Sequence, residues 1–307
     1  KEIGKNKVFV SGAKGLPPTS TYKVSATYMD GYSIVATLVI GGKNAYKKSK
    51  IISEAIINKT NRILFNKNFE KIRQHSLSTL GTDSIYGPDK YNKNSREVVL
   101  RLMATHEKKE ALVILSKEVA QAATGMASGV MNYLGGRPSV SKSIRLHSYL
   151  IPKSNFSIEI DYHGKKSPVE IPLNGEYKEV KKSNKITYNK NLQTDTSVPL
   201  FKLAYARSGD KGDHSNIGVI AREPRFFPFI LNGLSYEIVK KYFSHLLKGQ
   251  LKVWKVPGIN GLNFLLENSL GGGGMSSLRI DPQGKAYAQQ LLEIEIPVTI
   301  EIADELN

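Results

Sequence analysis

The chain has 307 residues, of which 40% are hydrophobic and 23% charged, with no cysteine and a formal net charge of +17. This composition is that of a folded soluble protein with room for two domains. The absence of cysteine excludes disulfides, thiolate catalysis and zinc–thiolate sites, and no apolar run approaches the roughly 20 residues of a transmembrane segment. We therefore expect a soluble protein of the cytoplasm or the mitochondrial matrix.

The positive charge comes mostly from lysines that are spread along the chain, as in NAYKKSK, HGKKS and YKEVKKSNKITYNK. Scattered lysines are typical of a solvated surface. No zinc-finger spacing, aromatic RNP-like segment or basic-leucine heptad accompanies them. We therefore predict no nucleic-acid partner, and a polyanion-binding module driven by net charge is kept only as a further alternative.

The first half of the chain is predicted to contain strands and two helices. A strand at KVFVSG precedes two alternating runs in YKVSATYMDGYSIVATLVIGG, which Asp30-Gly31 would join as a hairpin. Apolar spacing predicts a helix from Ala45 to about Leu64 and a second over EKKEALVILSKEVAQAATGM, with strands at IRQHSLSTLG and REVVLRLMAT. The glycine-rich stretch that contains Arg137 is either a binding loop or a connection packed by methionines.

The second half begins after a polar segment at Asn174 with almost no large aliphatic residue, which predicts a linker. We place domains at 1–173 and 198–307, with the linker at 174–197. Strands are predicted at VPLFKLAYA, IGVIA, QLKVWKVP, SSLRI and IEIPVTIEI, a short apolar element at LNFLLENSL, and helices at SYEIVKKYFSHLL and GKAYAQQLLE. This order predicts the C-terminal part of an α/β domain followed by a ferredoxin-like α+β domain.

A polar loop, ARSGDKGDHSNIG, is predicted between two of these strands. Its glycines allow positive φ and let backbone amides converge on an anion, its cations would add charged donors, and its acids and histidine can carry protons. The alternative is a tight polar turn in which Asp and Ser satisfy the backbone. The predicted anion-binding residues are Arg207, Ser208, Gly209, Lys211, Gly212 and Asn216. The catalytic candidates are Asp210, Asp213 and His214.

A second glycine-rich segment, LGGGGMSSLRIDPQGK, places four glycines directly before a predicted strand. Such a run indicates close approach of a backbone or a ligand, although it could also be a flexible connection. It matches neither the dinucleotide fingerprint nor the P-loop. The anion-binding residues predicted here are Gly271, Gly272, Gly273, Gly274, Ser276 and Arg279, with Arg137 from the first domain. The six histidines show no HxH or HExxH spacing, so we predict no metal site.

The segments LAYARSGDKGDHSNIGVIAR, LNFLLENSLGGGGMSSLRIDPQGKAYAQQLLE and GGRPSVSKSIRLHSYLIPK resemble the acyclic terpene utilisation protein A family. The similarity extends from about Val10 to Leu292. It implies an α/β portion followed by a small ferredoxin-fold domain, of which this chain would hold the back part of the first and all of the second. The N-terminal half of the family protein, in the same or a separate chain, is then an expected partner.

The resemblance also implies a role in the catabolism of acyclic terpenoid or branched-chain acids as coenzyme A thioesters. Arg207 and Lys211 would hold the anionic group, and Asp210 or Asp213 would act as general base, with His214 as the alternative. A homo-oligomer and an acyl-CoA carboxylase are the other expected partners, and a coenzyme A thioester would be the substrate of an enzyme or enzyme subunit. The alternative is a non-catalytic scaffold protein in which the loops are interface turns.

Overall fold

The computed structural model describes residues 2–5, 7–87, 92–133, 135–173, 175, 177–178, 186–189 and 191–306. The chain divides into two compact units, Lys1–Thr27 with Leu146–Ser183, and Tyr28–Arg145 with Asn184–Asn307. Much of the predicted linker, namely 174, 176, 179–185 and 190, lies outside the described residues. The domain limits drawn from the sequence stay a prediction.

The bounds of the regular elements are as follows. The strands are β1 (Glu2–Gly4), β2 (Lys7–Val8), β3 (Thr21–Gly41), β4 (Gln74–Leu80), β5 (Glu97–His106), β6 (Val130–Tyr133), β7 (Val140–Pro152), β8 (Ile158–Tyr162), β9 (Lys165–Val169), β10 (Thr196–Pro199), β11 (Ala204–Lys211), β12 (His214–Ala221), β13 (Leu251–Val256), β14 (Gly261–Leu266) and β15 (Glu295–Val298). The helices are α1 (Ala45–Asn66), α2 (Lys109–Gly125), α3 (Leu200–Leu203), α4 (Phe227–Gly233), α5 (Tyr236–Tyr242), α6 (Tyr287–Leu291) and α7 (Ile300–Glu305).

The first unit contains two short antiparallel pairs, β1 with β2 and β8 with β9. The turn of the second pair places His163 and Gly164 at positive φ, 49° and 79°, as a type I′ hairpin requires. Nearby, the amide of Lys153 donates to the carbonyl of Ser20 at 3.0 Å, and its Nζ lies 5.3 Å from the ring centre of Tyr22. Both buried hydrophobic clusters of the described residues belong to the second unit.

The first core of the second unit is built on a five-stranded sheet with the order β4-β5-β3-β6, in which these neighbours pair antiparallel and β7 also pairs with β3. Alternate residues such as Leu38 and Leu100 are buried with apolar residues of α1 and α2 on one face, as a two-residue side-chain period requires. The intervening residues, among them Ser78 of β4 and Arg101 directly opposite it on β5, belong to the other face. This second face contributes to the candidate site.

The second core is built on a four-stranded antiparallel sheet with the order β11-β12-β14-β13. Buried residues of this sheet, such as Ile217 and Phe264, cluster with apolar residues of α4, α5 and α6. A separate antiparallel pair, β10 with β15, adds to the same cluster. The mixture of sheets and helices confirms the predicted mixed α/β fold class. Within the part of the chain that the structure describes, no helix is both long and apolar enough to cross a bilayer.

The hairpin predicted at Asp30-Gly31 is wrong, because β3 continues through this dipeptide. Gly31 has φ 75°, and a Cβ there would lie 2.7 Å from the carbonyl oxygen of His106. Asp30 forms ion pairs with Arg73 and Arg145, each at 2.6 Å. The dipeptide therefore supplies a positive φ inside a strand, where only glycine fits without strain.

Several predicted strands have different limits in the structure. KVFVSG forms a strand only at its first two residues, SSLRI forms none, and α3 interrupts VPLFKLAYA after Pro199. In IEIPVTIEI the strand ends at Val298, because the hydroxyl of Thr299 accepts the amide of Ile302 and starts α7. The segment of α4 was not predicted. The other predicted helices and strands correspond to α1, α2, α5, α6, β4, β5, β12, β13 and, for the short apolar element, β14.

Candidate functional site

The polar loop predicted between two strands is a tight β-hairpin. β11 and β12 pair up to Lys211 and His214, which leaves Gly212 and Asp213 as a two-residue turn. Gly212 has φ 69°, as glycine has at the first central position of a type II′ turn. The strands therefore extend through the predicted loop, and its side chains alternate between the two faces of the sheet.

Asp213 joins this hairpin to the glycine run. Its Oδ1 accepts the amide of Gly272 at 2.7 Å, and its carbonyl oxygen accepts the amide of Ser269 at 3.0 Å. A Cβ on Gly273 would lie 3.1 Å from the carbonyl oxygen of Gly212, so the two segments are in close contact. The two glycine-rich segments are therefore in contact. The backbone amide of Gly272, which was predicted to bind an external anion, donates instead to the carboxylate of Asp213.

Two other predicted site residues of the hairpin also make hydrogen bonds within the fold. The buried hydroxyl of Ser208 donates to the carbonyl of Gly284 at 2.6 Å and accepts the amide of Ala288 at 2.9 Å, which attaches α6 to β11. Nδ1 of His214 accepts the amide of Asn268 at 3.0 Å, so a neutral ring carries its proton on Nε2. Both side chains hold neighbouring segments in place.

The remaining polar residues of the hairpin face solvent to different extents. Arg207 and Lys211 are exposed, whereas Asp210 and Asn216 are partly exposed. Lys211 Nζ donates to the carbonyl of Asp210 at 3.1 Å, and Nδ2 of Asn216 donates to Oδ1 of Asn263 at 3.2 Å. The roles predicted for these residues stay predictions.

The other predicted residues divide between the glycine run and a separate turn. Gly271–Gly273 have positive φ and Gly274 does not. The hydroxyl of Ser276 donates to a carbonyl within this run at 2.7 Å. Arg137 lies exposed in the turn between β6 and β7, on the five-stranded sheet, and is not part of the cluster around Asp213.

A cleft of about 290 Å³ lies between the two cores of the second unit. This volume is at the lower end of the range of about 300–1,000 Å³ that is usual for ligand sites. The first core contributes Ser76, Ser78, Ser84, Ile85 and Gly87, and the second contributes His245, Leu246, Arg279, Ile280, Asp281, Tyr287 and Gln290. Of the residues predicted from the sequence, Arg279 is the one that lines the cleft.

One guanidinium group, that of Arg279, lines the cleft, and a second, that of Arg101, lies beside it. Arg279 donates to the hydroxyl of Tyr287 at 3.2 Å and to two backbone carbonyls. Arg101, directly opposite the cleft residue Ser78, donates to the carbonyl of Leu278 at 3.0 Å. Among the described residues, neither guanidinium forms an ion pair with a carboxylate. Burial lowers the pKa of Arg101, because its charge has left water without a compensating acid.

The other polar groups of the cleft differ in how well they are satisfied. Both carboxylate oxygens of Asp281 accept backbone amides, from Lys285 at 2.9 Å and from Ala286 at 2.8 Å. Gln290 is only 1% exposed, and within the described part of the chain its side-chain nitrogen and oxygen have no hydrogen-bond partner. Buried polar groups are nearly always paired, so this amide indicates a ligand or water in the cleft.

Three tyrosines border or support the cleft. Burial raises the pKa of Tyr242 to about 12, and its hydroxyl donates to the carbonyl of Gln290 at 2.7 Å. Burial also raises the pKa of Tyr287 and of Tyr86, and the nearby carboxylate of Glu293 raises the pKa of Tyr86 further. All three hydroxyls are therefore neutral donors at physiological pH.

Arg101, His245 and Gln290 were not predicted as site residues. Arg101 is the one basic residue inside the apolar run VVLRLMA, and this signal could have identified it. His245 packs against Gly87, where a Cβ would lie 3.0 Å from the ring. The position of Gln290 carried no signal, because glutamine is common on exposed helix faces. The described residues contain no group of three or more His, Asp or Glu side chains able to hold a metal ion.

A five-stranded α/β core, an antiparallel α+β core and a polar cleft between them define a two-part α/β protein. The family model described as acyclic terpene utilisation family protein AtuA matches residues 1–162, and that of the AtuA ferredoxin-like domain matches residues 198–297. The chain therefore belongs to the acyclic terpene utilisation family, which confirms the resemblance seen in the sequence. No curated protein and no solved structure matches it.

Proposed function

We propose that the chain binds a carboxylic metabolite in the cleft, either the free branched-chain acid, whose carboxylate would lie at the cations, or its coenzyme A thioester, whose neutral carbonyl oxygen would accept hydrogen bonds. The observation that carries this proposal is the pair of guanidinium groups of Arg279 and Arg101, which have no carboxylate partner within the described residues. A ligand carboxylate would supply the missing charge through charge-assisted hydrogen bonds. The site would serve the catabolism of acyclic terpenoid or branched-chain acids.

The other lining residues suit the same ligand. The buried amide of Gln290 can donate to a carboxylate or thioester oxygen, which would satisfy its missing hydrogen bonds. Ile85, Leu246 and Ile280 offer apolar contacts to a branched hydrocarbon. A volume of about 290 Å³ accommodates an acyl group but not a whole coenzyme A, so the nucleotide would lie outside the cleft.

His245 is our candidate for proton transfer to the bound acyl group. It lines the cleft, and histidine is the side chain that most often transfers protons in enzymes. The hairpin residues suit this role less well, because Asp213 and His214 are already engaged with the backbone at Gly272 and Asn268. The cleft therefore replaces the hairpin as our candidate centre of chemistry.

Isothermal titration calorimetry with 3-methylbutanoate, its coenzyme A thioester and free coenzyme A tests the proposal. We expect the acid and the thioester to bind, and Arg279→Gln to weaken the binding of the acid by roughly tenfold to a hundredfold, as loss of a charged hydrogen-bond pair does. Arg207→Gln is the matched control, since it removes the same charge from the hairpin. It should leave the affinity for the free acid unchanged.

Two results would overturn this proposal. One is the absence of measurable binding of either carboxylic ligand to the unsubstituted chain. The other is an equal effect of Arg279→Gln and Arg207→Gln, which would mean that net positive charge alone attracts the ligand.

A further inference from the structure

The four-stranded sheet has one face free of described helices. Its buried residues pack with α4, α5 and α6, whereas the residues between them lie on the opposite face. On that face, which we call the open face, Arg207 is exposed and Asn216, Gly218, Trp254 and Asn263 are partly exposed. None of these residues lines the cleft.

One row of residues crosses the open face from strand to strand. Arg207 lies opposite Gly218, Gly218 opposite Asn263, and Asn263 opposite Trp254. Because neighbouring strands are about 4.8 Å apart, the row is roughly 14 Å long. The atom nearest to the position of a Cβ on Gly218 is the carbonyl oxygen of Arg207, at 4.0 Å. At Gly218 the row therefore has a gap in which only backbone is exposed, between the guanidinium of Arg207 and the side-chain amide of Asn263.

Two asparagine amides border this gap. Nδ2 of Asn216 donates to Oδ1 of Asn263 at 3.2 Å. In the described part of the chain no further hydrogen bond engages Oδ1 of Asn216 or Nδ2 of Asn263, so the pair presents one acceptor and one donor. An adenine edge, with its N6 donor and N7 acceptor, is the base edge that asparagine amides recognise.

Three cations lie along the β11 edge of the same face. Arg207 and Lys211 are exposed there, and Nζ of Lys285 lies 3.2 Å from the position of a Cβ on Gly209. Among the described residues, none of the three forms an ion pair with a carboxylate. A phosphate would complement this charge.

We propose that the open face binds one adenosine phosphate. The base would lie over Gly218 against Trp254, with its edge on the asparagine pair and its phosphates toward Arg207. A single nucleotide fits better than a strand of nucleic acid, because strands are bound by several stacking rings. The other aromatic ring on this face among the described residues, Tyr205, is exposed but already has the guanidinium of Arg222 stacked on one side at 4.0 Å.

Tryptophan fluorescence of the full chain tests this proposal, because Trp254 is its one tryptophan. Titration with adenosine 3′,5′-bisphosphate should change the emission saturably. Asn263→Leu should weaken the apparent affinity by about tenfold or more, the usual effect of losing a two-bond base contact. Arg207→Gln should also weaken it. Lys241→Ala, which removes an exposed charge from α5, is the control and should match the unsubstituted chain.

The proposal is overturned if the emission does not change saturably, or if Asn263→Leu binds as tightly as the unsubstituted chain. It is also overturned if affinity for single-stranded oligonucleotides rises steadily with length, because the face would then bind nucleic acid. Arg279→Gln separates this site from the cleft. It should leave nucleotide binding intact, so failure of carboxylate binding alone would refute only the proposed function.

Discussion

The hairpin cluster and the cleft differ in how their polar side chains are paired. At the hairpin, the carboxylate of Asp213 holds the amide of Gly272, and His214 holds the amide of Asn268. At the cleft, Arg279 has no carboxylate partner and Gln290 has no partner for its amide within the described residues. Satisfied polar groups stabilise a fold, whereas unsatisfied ones are available to a ligand.

This difference gives the two regions separate roles. Substitutions at the hairpin should change the free energy of unfolding, because its polar groups hold segments together. Substitutions at the cleft should change ligand affinity.

Gly273→Ala should lower the free energy of unfolding by about 2 kcal/mol or more. Gly273 has φ 87°, and the new Cβ would lie 3.1 Å from a backbone oxygen of Gly212. Gly274→Ala is the matched control, since its φ is ordinary and the nearest atom to its Cβ would belong to the flexible side chain of Gln283, at 3.4 Å. Urea denaturation measures both variants, and equal losses would mean that the glycine run does not need its close contact with the hairpin.

Asp213→Ala should lower the free energy of unfolding by about 1–2 kcal/mol, because it leaves the amide of Gly272 without its acceptor. Asp210→Ala is the control, since no hydrogen bond to its carboxylate is found among the described residues. We expect the control to change stability by less than about 0.5 kcal/mol. A larger loss for Asp210→Ala than for Asp213→Ala would reverse the assigned roles.

Tyr86→Phe should lower the free energy of unfolding by about 0.5–1.5 kcal/mol, because it removes the interaction of the Tyr86 hydroxyl with the carboxylate of Glu293, which belongs to the other core. Tyr205→Phe, at an exposed tyrosine, is the control. Both are measured by thermal and urea unfolding. An unchanged free energy of unfolding for Tyr86→Phe would show that the interaction between Tyr86 and Glu293 does not stabilise the packing of the two cores.

Stability should fall at alkaline pH partly through Tyr242. Its folded-state pKa of about 12 exceeds the ordinary value of 10.0, so its contribution is complete below pH 10 and is lost as pH rises toward 12. Tyr242→Phe should therefore lose less stability than the unsubstituted chain between pH 9 and about pH 11. Urea unfolding at the two pH values measures this, and parallel losses would mean that burial does not shift this hydroxyl.

The elements with strong periodicity could be predicted from the sequence, whereas the cleft could not. The apolar spacing of α1 and the alternation of β5 are local signals that tertiary contacts do not override. The dipeptide Asp30-Gly31 led to the wrong prediction of a hairpin, because a glycine with positive φ occurs at irregularities inside a strand as well as in hairpin turns. The cleft arises where distant segments meet, and Arg101 and its acceptor Leu278 are 177 residues apart.

The glycine-rich segments also show what sequence composition can and cannot predict. Their composition correctly indicated close backbone approach, which is seen where Gly273 meets Gly212. Composition could not tell whether the converging amides receive an external anion or a carboxylate of the protein. That depends on where the side chain of Asp213 points, which only the folded hairpin determines.

We propose that Arg101 and Arg279 bind a ligand carboxylate and are not required for the stability of the fold. The most direct test is the free energy of unfolding of Arg101→Met and of the unsubstituted chain, each with and without 3-methylbutanoate. We predict that Arg101→Met is as stable as the unsubstituted chain or more stable without ligand, because it removes a partly buried charge that has no carboxylate partner among the described residues. We also predict that it gains less stability from the acid. A large loss of stability without ligand, together with an undiminished gain from the acid, would contradict the claim.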